Sequence, residues 1–169
     1  MPFEPAEPAE RGTVAVIGGG PVGLTAANLL AEYGVRVTVL ERNSTTSNDA
    51  KAISLDGESI RTIQIAGLAD AVRAIVVPVP GTRFQRARGQ QLFQARGAAA
   101  FGYPVKNQFA QPELERLLLG AALARADVSV RFDTEMSGLT EVDDGVAVTS
   151  HAGGRPTTDT YDYVLACDG

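Results

Sequence analysis

The chain has 169 residues, enough for one compact domain and too few for two full ones. With 44% hydrophobic residues, 21% charged and a net charge of -5, it has a globular composition and lacks the basic excess that a nucleic-acid partner requires. One cysteine, Cys167, excludes a disulfide framework and points to a reducing cytoplasm.

The opening "MPFEPAEPAERG", residues 1–12, interleaves prolines with glutamates and has neither the basic nor the apolar region of an export signal, so it reads as a solvated arm. Thr13 to Ile17 is a continuous run rich in β-branched residues, which predicts a strand covered on both faces in a parallel sheet. It is far shorter than the roughly 20 residues of a membrane helix. A helix is expected over Pro21 to Tyr33, with Val22, Ala26, Leu29, Leu30 and Tyr33 on its apolar face and Gly34 as its stop. Val35 to Leu40 then supplies a second strand and completes a right-handed βαβ unit.

Asn43 to Asn48, "NSTTSN", is a polar loop. Ser54 is expected to cap a helix running through Ile60 and Ile63 to Gly67, with Asp56 and Glu58 near its positive end. From Pro78 to Tyr103 the pattern is irregular, and "TRFQRAR" and "QQLFQAR" suggest a hairpin around Gly89. Pro112 at a first helical position opens the next helix, whose apolar face is Leu114, Leu117, Leu118 and Ala121. Val128 to Phe132 alternates as a strand. An antiparallel meander with a turn at Asp144-Gly145 leads into a last apolar strand, Tyr163 to Cys167. The fold class is α/β, with one domain over residues 13–169.

In "GGGPVG" the spacing G-x-G-x-x-G falls on Gly18, Gly20 and Gly23. Gly18 permits a tight turn out of the strand, Gly20 lets a pyrophosphate approach the backbone, and Gly23 lets the helix lie against the strand. Pro21 and Val22 complete this loop, and the phosphates would sit over the unpaired N–H groups of the helix start. Glu41 stands 21 positions after Gly20, at the end of the second strand. A carboxylate there accepts hydrogen bonds from ribose hydroxyls and repels a 2′-phosphate, which favours FAD or NAD over NADP. The long excursion from Asn43 to Gln111 before the next long helix favours FAD.

These segments resemble the FAD-dependent aromatic hydroxylases, the group A flavoprotein monooxygenases related to para-hydroxybenzoate hydroxylase, and most closely the branch acting on phenylpropionate-type and polyketide phenols. The resemblance is carried by "VIGGGPVGLTAANLLAEYGVRVTVLER", "KAISLDGESIRTIQIAGL", "QPELERLLLGAA" and "DYVLACDG". It implies a Rossmann-like FAD-binding domain that stops short of the substrate domain, as the N-terminal portion of a longer enzyme. It also implies that Gly18, Gly20 and Gly23 hold the pyrophosphate and that Glu41 holds the adenosine ribose with Arg42 beside it. Lys51 stands where the family usually has an arginine reaching the flavin side. Gln111 matches the glutamine of the ribityl-pyrophosphate region, Met136 the residue against adenine, and Asp168 the acid of the "DG" motif, which assists both FAD binding and the approach of the nicotinamide.

In that family NADPH or NADH reduces the flavin, O2 adds to give a C4a-hydroperoxide, and its distal oxygen passes to a phenol. The implied partners are a small phenolic substrate, O2, and the remainder of the enzyme or a complementing chain, with neither nucleic acid nor membrane. No residue of this chain is assigned as a substrate base, and none as a metal ligand. His151 reads as solvated, Asp143 and Asp144 as turn residues, and Cys167 as a buried thiol. An NAD-dependent dehydrogenase domain and a non-catalytic nucleotide-binding fragment remain as alternative readings of the same residues.

Overall fold

The computed structural model describes residues 12–99 and 102–169, so the expected arm, apart from Gly12, lies outside the described residues. In chain order the elements are β1 (Thr13–Ile17), α1 (Pro21–Glu32), β2 (Arg36–Leu40), β3 (Ser54–Asp56), α2 (Gly57–Ile65), α3 (Ala69–Ile75), β4 (Val77–Pro78) and β5 (Gly81–Gln85). There follow β6 (Gln91–Arg96), β7 (Lys106–Gln108), α4 (Gln111–Leu123), β8 (Val128–Arg131), β9 (Thr134–Val142), β10 (Gly145–Ala152), β11 (Arg155–Tyr161) and β12 (Tyr163–Ala166). The chain divides into two compact units, Met1–Thr46 with Leu118–Gly169, and Ser47–Leu117. Among the described residues no helix is long and apolar enough to cross a membrane.

The first unit is built on a parallel sheet in the order β12-β1-β2-β8. Alternate residues of β1 face opposite sides, and each side has its own cover. Val14 and Val16 pack with Ala27, Val37 and Val39, whereas Ala15 and Ile17 pack with Leu40, Val148 and Tyr161. The strand is therefore apolar throughout, as a doubly covered parallel strand must be. The antiparallel sheet β11-β10-β9 forms the meander, and Gly145 at φ +139 makes the turn after Asp144.

The buried face of α1 differs from the one read in the sequence. Leu24, Ala27, Asn28 and Ala31 are inside, whereas Val22 is 68% and Tyr33 60% exposed. Tyr33 ends the helix as its C-cap, and the turn that follows uses Gly34 at φ +73. The phase is set by Gly23 and Asn28, which hydropathy scores as poor core residues. Gly23 brings the helix close to the turn after β1. Asn28, fully buried, donates from Nδ2 to the carbonyls of Leu24 at 2.8 Å and Leu118 at 2.9 Å.

The second unit contains the antiparallel sheet β3-β7-β4 and the hairpin β5-β6, with the short helices α2 and α3. The expected hairpin is present: Gly89 has φ +82, and Phe84 and Phe93 face one another across it with ring centroids 4.2 Å apart. Helix α3, which the sequence reading left out, places Val72 in the core. Helix α4 begins at Gln111, one residue before Pro112, and buries Leu114 and Glu115 in this unit.

The cap of α2 is Asp56, not Ser54. Ser54 is drawn into β3 opposite Gln108, and the chain leaves the sheet only after Asp56, whose Oδ1 accepts the Ser59 N–H at 2.7 Å. Asp56→Ala is expected to cost about 1 kcal/mol, the usual worth of such a cap. Hydrogen bonds from Ser59 hold the Asp56 carboxyl below its ordinary range. Its contribution is thus fully present above the unfolded value and lost as pH falls through the lower folded one. Urea midpoints of the two proteins should differ at neutral pH and converge in strong acid.

Candidate functional site

The first unit assembles its site where β1 ends. Gly18 turns the chain at φ +104, and its N–H donates to the Leu40 carbonyl at 2.8 Å. A Cβ here would stand 2.6 Å from the Cys167 carbonyl oxygen and 3.0 Å from the Cα of Asp168. The turn is wedged between the ends of β2 and β12, which leaves room only for glycine. At Gly23 a Cβ would lie 2.0 Å from the Gly18 carbonyl oxygen and 3.2 Å from Val16, so α1 rests directly on the turn.

Gly20 is different. It is the N-cap of α1 in an extended conformation, φ -79 and ψ -173, and a Cβ added to it would meet nothing within 4 Å. No side chain caps this helix, and its first turn contains no acid. Pro21 has no N–H to offer, and the Val22 side chain points outward, so the loop contributes through its backbone. Uncapped N–H groups, the positive end of a helix dipole and clear space beside Gly20 together fit a pyrophosphate.

Glu41 closes the other side. Its backbone is fixed by bonds from its N–H to the Arg131 carbonyl and from the Thr134 N–H to its own carbonyl, each 2.9 Å. Its side chain is held as well. Oε2 accepts the Gly19 N–H at 2.7 Å, while Oε1 accepts the Asn43 N–H at 2.8 Å and the Asn43 side-chain amide. Neither Gly19 nor Asn43 was singled out in the sequence. Gly19 is the variable position inside the glycine turn and Asn43 opens the polar loop after β2, so neither belongs to the glycine pattern. Arg42, next to Glu41, is exposed.

Asp168 is exposed and lies beside Gly18 at the end of β12. Cys167, expected to be buried, is only partly so; that burial, and then the neighbouring Asp168 carboxylate, push its thiol upward, which makes it a poor nucleophile. Met136 sits on β9 opposite Ser150 and packs against the cluster of Ala15, Ile17, Leu40, Val148 and Tyr161.

In the second unit Lys51 and Gln111 meet through the backbone. Gln111 is buried, and its Oε1 accepts the N–H groups of Lys51 at 3.0 Å and Ala52 at 2.7 Å. Its amide donates to Glu115 Oε1 at 2.8 Å, and Glu115, 1% exposed, accepts the Ser47 N–H at 3.0 Å through Oε2. Gln111 and Glu115 therefore fix the course of the loop from Ser47 to Ala52, while Lys51 itself is exposed. The sequence reading gave Glu115 no role. Its place in the "Q-x-x-L-E" pattern, one helical turn after Gln111, was the available signal.

A strand, a glycine turn, an uncapped helix and an acid ending the next strand define a dinucleotide-binding βαβ unit. Residues 11–169 match the family described as the FAD binding domain, and the chain belongs to that family. FAD, rather than NAD alone, is its cofactor. A 3-(3-hydroxy-phenyl)propionate/3-hydroxycinnamic acid hydroxylase of Mycolicibacterium smegmatis is 39% identical over 158 residues, which cover 92% of this chain and 28% of that protein. The p-nitrophenol 4-monooxygenase PnpA of Pseudomonas putida superposes with a TM-score of 0.85 at 26% identity, over 94% of this chain and 41% of that one. The flavin-dependent monooxygenase PieE, solved with FAD and substrate, gives a TM-score of 0.79 at 27% identity, over 96% and 31%. The chain thus spans less than a third of the length of the curated relative.

Proposed function

We propose that this chain is the FAD-binding portion, residues 13–169, of a cytoplasmic monooxygenase that hydroxylates a small phenol with O2 and a reduced nicotinamide, NADH or NADPH. What carries the reading is the 39% identity to a phenylpropionate-type hydroxylase across nearly the whole chain, joined to a glycine turn and an acid that fit FAD. The reaction centre is completed by the remainder of the enzyme or by a complementing chain.

The flavin, when bound, supplies the redox chemistry and the activation of O2. The protein groups bind and orient it. Backbone N–H groups of Gly20, Val22 and Gly23 meet the pyrophosphate, Gly18 shapes the turn that presents them, and Pro21 and Val22 open the first helical turn. Glu41, with Arg42 alongside, takes the adenosine ribose. Met136 flanks the adenine. Lys51 serves the flavin side, Gln111 the ribityl-pyrophosphate region while pinning the Lys51–Ala52 backbone, and Asp168 assists both FAD binding and the approach of the nicotinamide.

The enzyme that bears this chain is expected to be isolated yellow, with flavin absorption bands. It should consume reduced nicotinamide and O2 in step with the appearance of a hydroxylated 3-(3-hydroxyphenyl)propionate or a related phenol, read by mass spectrometry. Flavin binding without a product gaining one oxygen atom across a phenol panel would overturn the proposal.

A further inference from the structure

We propose that Asn43 is a positioning residue for the adenosine ribose: it holds the Glu41 carboxylate in the one orientation that keeps an acceptor site open for a sugar hydroxyl. The inference rests on the reading of Glu41 as the ribose acceptor. A glutamate at a strand end has several rotors to lose on binding, and fixing such a side chain costs on the order of 1–2 kcal/mol. Here that ordering is already built in. Three N–H donors converge on the carboxylate, one from Gly19 in the glycine turn and two from Asn43.

A carboxylate accepts about four hydrogen bonds. Oε1 takes two from Asn43 and Oε2 takes one from Gly19, so the open site lies on Oε2. Two of the three donors are backbone and survive any substitution other than proline. The third, Asn43 Nδ2, is the only side-chain donor among the described residues. Without it, Oε1 keeps a single partner and the carboxylate regains freedom to turn.

The backbone around Asn43 does not depend on that side chain. The Asn43 carbonyl accepts the Asp133 N–H at 3.0 Å, and Glu41 is bonded on both sides to Arg131 and Thr134. Asn43 is itself exposed, so trimming it opens no cavity. The substitution therefore changes the orientation of Glu41 and leaves the path of the loop intact.

The test titrates the full chain with FAD and with an FAD analogue whose adenosine lacks both ribose hydroxyls, following flavin fluorescence, and records melting without cofactor. Wild type should prefer FAD by about tenfold, as expected for a hydrogen bond to a charged acceptor. Asn43→Ala should bind the analogue as wild type does but lose most of that preference, with its melting temperature nearly unchanged. Asn43→Asp sets a second carboxylate against Glu41 and should bind FAD more weakly than Asn43→Ala does.

Retention of the full tenfold preference by Asn43→Ala overturns the positioning role. So does an equal loss for both ligands together with a lower melting temperature, which marks a structural role only. Wild type that binds the two ligands equally, or binds neither, instead overturns the assignment of Glu41 to the ribose.

Discussion

Gly23→Ala is expected to destabilise the first unit by about 3 kcal/mol, the upper end of what overpacking usually costs. The new Cβ would sit 2.0 Å from the Gly18 carbonyl oxygen, and that atom cannot move aside. Gly18 is tied to Leu40 by its N–H and pressed against Cys167, so the strain must pass to α1, which lifts from β1 and loosens Leu24 and Ala27. Gly20→Ala makes the natural comparison, because a methyl group there meets only open space at an ordinary φ of -79. It should cost at most about 1 kcal/mol, the difference between glycine and alanine at a helix N-cap. On the proposed reading its effect should appear in FAD affinity, because the methyl group would occupy the open space assigned to the pyrophosphate. Urea denaturation and flavin titration of the two variants would separate the glycine that packs the helix from the glycine that clears the ligand. Equal stability losses in both would contradict this division.

The same distinction explains which parts of the molecule were legible in the sequence. The places of Gly18, Gly20, Gly23 and Glu41 in the turn, the helix start and the strand end could be read directly, because the backbone geometry of one βαβ unit fixes their spacing. The hairpin around Gly89 and the turn at Asp144-Gly145 were legible for the same local reason. The face of α1 was not. Its twelve residues are apolar nearly all round, so periodicity leaves the phase open, and the decision falls to Gly23 and to Asn28 reaching the Leu118 carbonyl.

The cap of α2 was misread because Ser54 and Asp56 are both good caps, and pairing with β7, far along the chain, determines which is used. Helix α3 has seven residues and a single buried side chain, Val72, too little for a pattern. Asn43 and Glu115 act through side chains that converge on a partner in space. Their identities permit those contacts without requiring them.

Glu41→Gln should weaken FAD binding by roughly tenfold to a hundredfold, the range of about 1.5–3 kcal/mol for hydrogen bonds to a charged group. Glutamine matches glutamate in shape, so the loss isolates charge and acceptor capacity. Among the described residues three donors meet this carboxylate: Gly19 on Oε2, and the backbone and side chain of Asn43 on Oε1. An amide must place its NH2 towards one of those two sides. Towards Gly19, it opposes a backbone N–H and presents a donor where the proposed ribose contact requires an acceptor; towards Asn43, it opposes two donors at once. Either orientation leaves an N–H without its partner, and the flanking bonds to Arg131 and Thr134 keep the backbone from adjusting. Glu41→Asp keeps the charge but is one methylene shorter, and it should retain more affinity than the isosteric amide at low salt. Isothermal titration of FAD into the three proteins checks the order Glu, Asp, Gln. Glutamine binding as well as glutamate would mean that the sugar is held elsewhere.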